Sequence, residues 1–293
     1  MFSAAILLLA GVFAQTEPAM PTADMLAWPA GETRRFYSTM AFRSPYVVTL
    51  IAVRNEERTA AEVALSAVFR CESLGIMRSA TEVRCQVEDA GVQATPMQSD
   101  AGKLQTVLEE WERSAEAATV YFRIREDGRV DRVRLEDLPD SGPRERYISG
   151  KLELFMARLL SPFDLELPAQ GEAEWKHRSP AVASMPFSSA GSSLKLAQSA
   201  VQEQDGILVS GSGSGQLVGQ YTFSMEATTK HQIDAECHCI RRASVEVVGM
   251  ANVDTGHLSY RMAGYIEDIG EQPLEQPLTS WDLSVPRLIP QDD

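Results

Sequence analysis

Apolar and polar positions alternate along most of this chain. In Ala61–Phe69 (AEVALSAVF), Val63, Leu65, Ala67 and Phe69 fall on one side, and Glu62, Ala64, Ser66 and Val68 on the other. A period of two is that of a strand with one buried face. Thr81–Val87 repeats it with Val83, Cys85 and Val87. Arg34–Phe42 and the β-branched run Tyr46–Val53 (YVVTLIAV) are further strand candidates. Thr119–Arg125 and Arg129–Leu135 flank Asp127-Gly128, a strong hairpin signal because both turn positions need positive φ. Between Trp175 and Ile269 the strand candidates are Leu194–Val201, Gly206–Val209, Leu217–Thr228, Ala243–Asn252 and His257–Tyr265. Asp254-Thr255-Gly256 supplies another tight turn, while Ser188–Ser193 and Ser210–Gly215 (SGSGSG) read as loops.

Two segments change period. Leu104, Val107, Leu108, Trp111 and Ala115 recur at steps of three and four, and so do Ile148, Leu152, Phe155, Met156 and Leu159. That spacing makes an amphipathic helix. Pro143 suits a first helical turn, and Ser161-Pro162 stops the second segment. The pattern therefore predicts a β-dominated α+β fold. It is a curved antiparallel sheet with helices over about 101–117 and 143–160, at least one of them on the concave face. A single domain is expected over 34–270. An extended arm (15–33, with Pro18, Pro21, Pro29 and Gly31) precedes it, and an extended tail (271–293) follows.

Met1–Ala14 (MFSAAILLLAGVFA) is an apolar run ending in small residues, the pattern of a secretory signal peptide. It is shorter than the about 20 residues a spanning helix requires. Val12 stands where a lipidated cysteine would follow Leu9-Ala10-Gly11, so neither a membrane span nor a lipid anchor is expected. The expected location is periplasmic or extracellular. Charge narrows the partners. Lys and Arg number 27 against 41 Asp and Glu, a net −14. So acidic a chain repels phosphate backbones, and nucleic acid is not an expected partner.

Export also frames the four cysteines, because an oxidising compartment favours disulfides. Cys71 and Cys85 end and begin successive strands, and pairing centred on residue 78 sets them opposite each other. Cys237 and Cys239 either close a very small ring or pair separately with Cys71 and Cys85. Cys237, Cys239 and His231 are the candidate metal ligands, but structural zinc sites use wider cysteine gaps and no metal or other cofactor is expected. Ser192-Ser193-Leu194-Lys195 matches the S-x-x-K of penicillin-recognising enzymes without their K-T-G, and Gly211–Gly215 lacks the Lys-Ser/Thr and helix of a phosphate loop. No catalytic residue is assigned.

Phe163-Asp164-Leu165-Glu166-Leu167-Pro168, then Gly171 and Trp175, and later Asp254-Thr255-Gly256-His257-Leu258, resemble the layout of uncharacterised exported β-rich bacterial proteins. The likeness covers roughly Phe122 to Ile266. Some envelope proteins of similar make-up, such as the lipoprotein carriers, wrap a curved sheet around helices. The resemblance implies no activity and no site residues. The residues themselves point to a non-enzymatic exported module that binds a protein partner or an apolar ligand. A ligand pocket is expected beside Phe155, Met156, Leu159 and Trp175, although ordinary core packing explains the same residues. A hydrolase of unrecognised type is the second reading, and it requires His177, His231 or His257 beside a buried carboxylate. A disulfide- or metal-dependent structural module is the third.

Overall fold

A computed structural model describes residues 26, 28–44, 61–95, 109, 111–136, 152–153, 155–168, 171–179, 193–218, 222–237, 239–253 and 256–271. The expected strand 46–53, the signal segment and the tail beyond 271 lie outside them. The strands are β1 (Thr33–Ser44), β2 (Ala61–Ile76), β3 (Ala80–Thr95), β4 (Thr119–Arg125), β5 (Val130–Glu136), β6 (Glu174–Ser179), β7 (Ser193–Glu203), β8 (Gly206–Val218), β9 (Thr222–Asp234), β10 (Ile240–Val253) and β11 (Gly256–Asp268). They form one antiparallel sheet in the order β5-β4-β3-β2-β1-β11-β10-β9-β8-β7-β6. The β-dominated fold class is as the alternation predicted.

This order dictates the rest of the architecture. The chain meanders outward from β1 to the β5 edge, then returns from the β6 edge to β11, which pairs with β1 at the centre. The link between β5 and β6 must therefore cross the whole sheet. It carries helical residues 155–159 and a 3₁₀ turn, Ser161–Phe163, and it lies on the face where the apolar positions point. Leu152, Phe155, Met156, Leu159, Leu160, Phe163, Leu165 and Leu167 are all buried there. Helical residues 111–116 bring Trp111 and Ala115 onto the same core, so the described helical residues fall inside the two amphipathic segments.

Polar ties fix the crossing. The Ser38 hydroxyl donates to the Leu159 carbonyl at 2.6 Å, and the Leu167 N–H donates to the Asp127 carbonyl at 2.9 Å. The second bond draws the β4–β5 hairpin towards the segment leading into β6, so the two edges of the sheet curl towards each other. Gly128, at φ 86°, makes the hairpin turn and also permits this approach. A Cβ there would lie 2.3 Å from the Leu165 carbonyl oxygen.

One expectation fails. SGSGSG is not a loop, because β8 runs unbroken from Gly206 to Val218. Gly211 and Gly213 are strand positions closely approached by neighbouring strands. A Cβ at Gly213 would come within 1.8 Å of the Lys195 carbonyl oxygen, and one at Gly211 within 2.4 Å of Thr229 Oγ1. The next strand accordingly starts at Thr222 rather than Leu217. The arm is also tied down at its end. Trp28 is buried, its carbonyl accepts from the Ser73 hydroxyl, and its ring meets Phe36 edge-on at 5.8 Å.

Candidate functional site

The concave face and the crossing over it enclose two features. The first is an apolar pocket where the crossing ends, lined by Leu26, Trp28, Phe36, Ile124, Phe163 and Ile240, with Arg34, Gly128 and Cys239 completing it. It encloses about 30 Å³, room for a water-sized group. Phe163 forms one wall, packed edge-on against Phe36 at 4.9 Å and stacked over Phe122 at 6.4 Å. Arg34 lies over the Trp28 ring at 5.3 Å and is paired with Glu32.

The second feature is polar and lies at the β6–β9 side of the same face. His177, Gln198, Thr229 and His231 are each at most 7% exposed. Register explains why they converge. Gln198 and Thr229 both pair with Gly211, which stands between them, and His231 follows Thr229 two residues along β9. His177 pairs with Leu196, two residues before Gln198. Among the described residues, both ring nitrogens of His177, both amide atoms of Gln198, Thr229 Oγ1 and His231 Nδ1 find no hydrogen-bond partner. The other ring nitrogen of His231 donates to the Pro162 carbonyl. Burial pushes both histidines down to about 4. The Arg129 charge acts in the same direction on His177, and the neighbouring His177 does so on His231. Both rings are therefore neutral at pH 7.

The four pocket residues expected from sequence are all buried, but packing brings them to different places. Phe155 meets Trp111 edge-on at 4.5 Å and Phe42 at 6.5 Å. Met156 and Leu159 lie against the sheet in the same core. Trp175 sits at the β6 edge and donates its indole N–H to the Glu166 carbonyl at 2.7 Å. None of the four lines the apolar pocket, which is made from Leu26 and Trp28 of the arm, Phe163 of the crossing and residues of β1, β4, β10 and their turns. No spacing rule reaches these residues, since only the crossover brings them together.

The cysteine sulfurs sit at bonding distance in two pairs, Cys71 with Cys85 and Cys237 with Cys239. The first pair occupies opposed positions of β2 and β3, and the second lies in the β9–β10 turn. Among the described residues no three His, Cys, Asp or Glu side chains are grouped to hold a metal ion. His257 Nδ1 is 2.7 Å from Asn252 Oδ1, across the β10–β11 pair. Among the described residues, no hydrogen bond joins His177 or His231 to a carboxylate.

No family model and no curated protein matches the chain. The fold is that of a large curved β-sheet protein. It is similar to a solved structure titled for lipid–protein interactions in lipovitellin, with a TM-score of 0.52 at 12% identity. That match covers 85% of this chain and 26% of the other. An outer membrane channel from Pseudomonas putida F1 gives a TM-score of 0.30 at 8% identity, over 83% of this chain and 97% of that one. At such identities the lipovitellin likeness is one of fold.

Proposed function

We propose that this chain is a non-catalytic exported protein, periplasmic or extracellular, that binds an apolar ligand between its concave face and the crossing segment. One observation carries the reading. Every buried hydrophobic residue of the crossing, Leu152 to Leu167, is turned onto the sheet, and an apolar pocket opens where the crossing ends. The pocket admits only a few atoms as it stands, so a larger ligand enters by displacing Phe163 or Leu26. That movement loosens polar ties of the crossing such as Ser38–Leu159, each of which contributes only about 1 kcal/mol net. Paired cysteines fit an oxidising compartment. The lipovitellin structure, whose title concerns lipids, makes a lipid-like ligand the natural first choice.

The test is titration of the mature protein with N-phenyl-1-naphthylamine, a fluorescent apolar probe. Saturable binding near one probe per chain, weakened at least several-fold in Ile124→Asp, is the expected result. An absence of saturable binding to the folded protein would rule the reading out.

A further inference from the structure

The polar recess formed by His177, Gln198, Thr229 and His231 is out of keeping with a cover built for hydrocarbon. Leaving a buried donor or acceptor unpaired destabilises a fold, because the group loses its water without a replacement partner. Here such atoms are concentrated in four side chains on β6, β7 and β9, all facing one way, with Gly211 of β8 between the last two strands. Gly211 is what allows this. Thr229 Oγ1 lies 2.4 Å and Gln198 Cγ 3.1 Å from the point a Cβ of residue 211 would occupy, so any larger residue there would push into both. The Pro162 carbonyl holds the His231 ring and turns its Nδ1, a lone-pair acceptor in the neutral ring, away from that bond.

We propose that this recess is the binding site for the uncharged hydroxyl, ester or amide head of an amphipathic ligand, with the tail in the adjoining apolar pocket. The inference rests on the apolar-ligand reading and names the chemistry of the ligand's other end. The site offers both roles. The Gln198 amide donates and accepts, the Thr229 hydroxyl does either, and His231 Nδ1 accepts. Among these four groups none is charged at pH 7, since burial keeps both imidazoles neutral. A carboxylate or phosphate head would therefore lose its hydration without gaining a counter-charge from them. The 3₁₀ turn links the two. Pro162, bonded to His231, precedes Phe163, the pocket wall, in one 3₁₀ turn. Displacing that turn opens both compartments to one molecule.

The experiment measures displacement of bound N-phenyl-1-naphthylamine by decane, 1-decanol and decanoate at pH 7. It uses the unaltered protein and the double variant Gln198→Leu/Thr229→Val, with circular dichroism to confirm that the variant is folded. The expected result is that decanol outcompetes decanoate. Its advantage over decane should also fall about tenfold in the variant, the worth of one to two buried hydrogen bonds. Decane binding should be unchanged. Should the variant not fold, the wild-type ranking decides, because a recess of this kind must make decanol outcompete decane, which a purely apolar pocket would bind better. If decanol keeps its full advantage in the variant, or decanoate binds best, the recess holds ordered water only and the inference is wrong while the apolar-ligand reading stands. If the probe itself does not bind saturably, both fail.

Discussion

The two halves of the sheet line the same concave surface with different materials. From β1 to β5 most inward positions are large and apolar, among them Phe36, Met40, Leu65, Phe69, Val83 and Phe122, with Ser38 and Ala67 the smaller pair between them. From β6 to β11, Leu194, Leu196, Met225 and Ile233 are interrupted by Ala227, Ala243, Gly211 and Gly213 and by the polar recess. The 3₁₀ turn of the crossing rests on β10 and β11, on the side of the small residues. One half supplies bulk and cohesion. The other supplies relief and hydrogen-bonding groups, and substitutions in the two should differ in size and even in sign.

The largest effect is expected at Phe36. It is 2% exposed, pairs with β2 and β11, and touches the rings of Trp28 and Phe163. Phe36→Ala leaves a cavity at the meeting point of arm, sheet and crossing and should cost about 3–5 kcal/mol, read from urea unfolding. A loss below about 1 kcal/mol would show that the first half is not the cohesive one.

Each half also carries one cysteine pair, which sharpens the contrast. Cys71 and Cys85 are wholly buried and close a loop of 14 residues, whereas Cys237 is exposed and its ring spans two. Constraint of the unfolded chain grows with the loop closed. Replacing Cys71 and Cys85 with Ala and Val should therefore cost about 3 kcal/mol. Replacing Cys237 and Cys239 with Ser should cost well under half of that. In the folded protein, mild dithiothreitol followed by alkylation and mass spectrometry should label Cys237 and Cys239 first, because access governs thiol exchange. Equal labelling rates would contradict this ranking.

The two halves were not equally legible in the sequence. The first announces itself through strict alternation at Val63–Phe69 and Val83–Val87 and through Asp127-Gly128, because each side chain there answers to its own strand. The pairing of Cys71 with Cys85 follows from a turn centre two strands share. SGSGSG misleads because glycine chosen for close strand approach has the same composition as glycine chosen for flexibility. Only the registers of β7 and β9 tell them apart. His177 and His231 lie 54 positions apart in sequence and meet because the sheet curls, so no local pattern could join them. Trp28 reads as part of a loose arm because its partners, Phe36 and Ser73, belong to other strands.

Acid should weaken the second half selectively. His231 titrates at about 4 in the folded protein, against an ordinary 6.5, because it is wholly buried. The unfolded chain therefore takes up a proton more readily than the folded one. The contribution to stability is complete above pH 6.5 and is lost as pH falls towards 4. Between pH 7 and 4.5 this one group removes about 2–3 kcal/mol. His177, shifted the same way, adds to the loss. Unfolding free energies at the two pH values should differ less in His231→Gln than in the unaltered protein. An unchanged difference would mean that His231 is not held neutral by its surroundings.

The smallest effects decide the comparison most cleanly, because two hydroxyls of similar burial face the interior from the two halves of the sheet, Ser38 on β1 and Thr229 on β9. Ser38 donates to the Leu159 carbonyl at 2.6 Å and lies 3.2 Å from that of Tyr265, whereas Thr229 Oγ1 has no partner among the described residues. Removing the first hydroxyl strips a carbonyl of its donor, so Ser38→Ala should cost about 1–2 kcal/mol. Removing the second deletes a polar atom already unpaired, and a methyl group fills the same space. Thr229→Val should therefore leave stability unchanged or raise it by up to about 1 kcal/mol. The two shifts in urea midpoint should have opposite signs. If Thr229→Val is as damaging as Ser38→Ala, Thr229 is already satisfied within the folded chain, and the second half is as self-sufficient as the first.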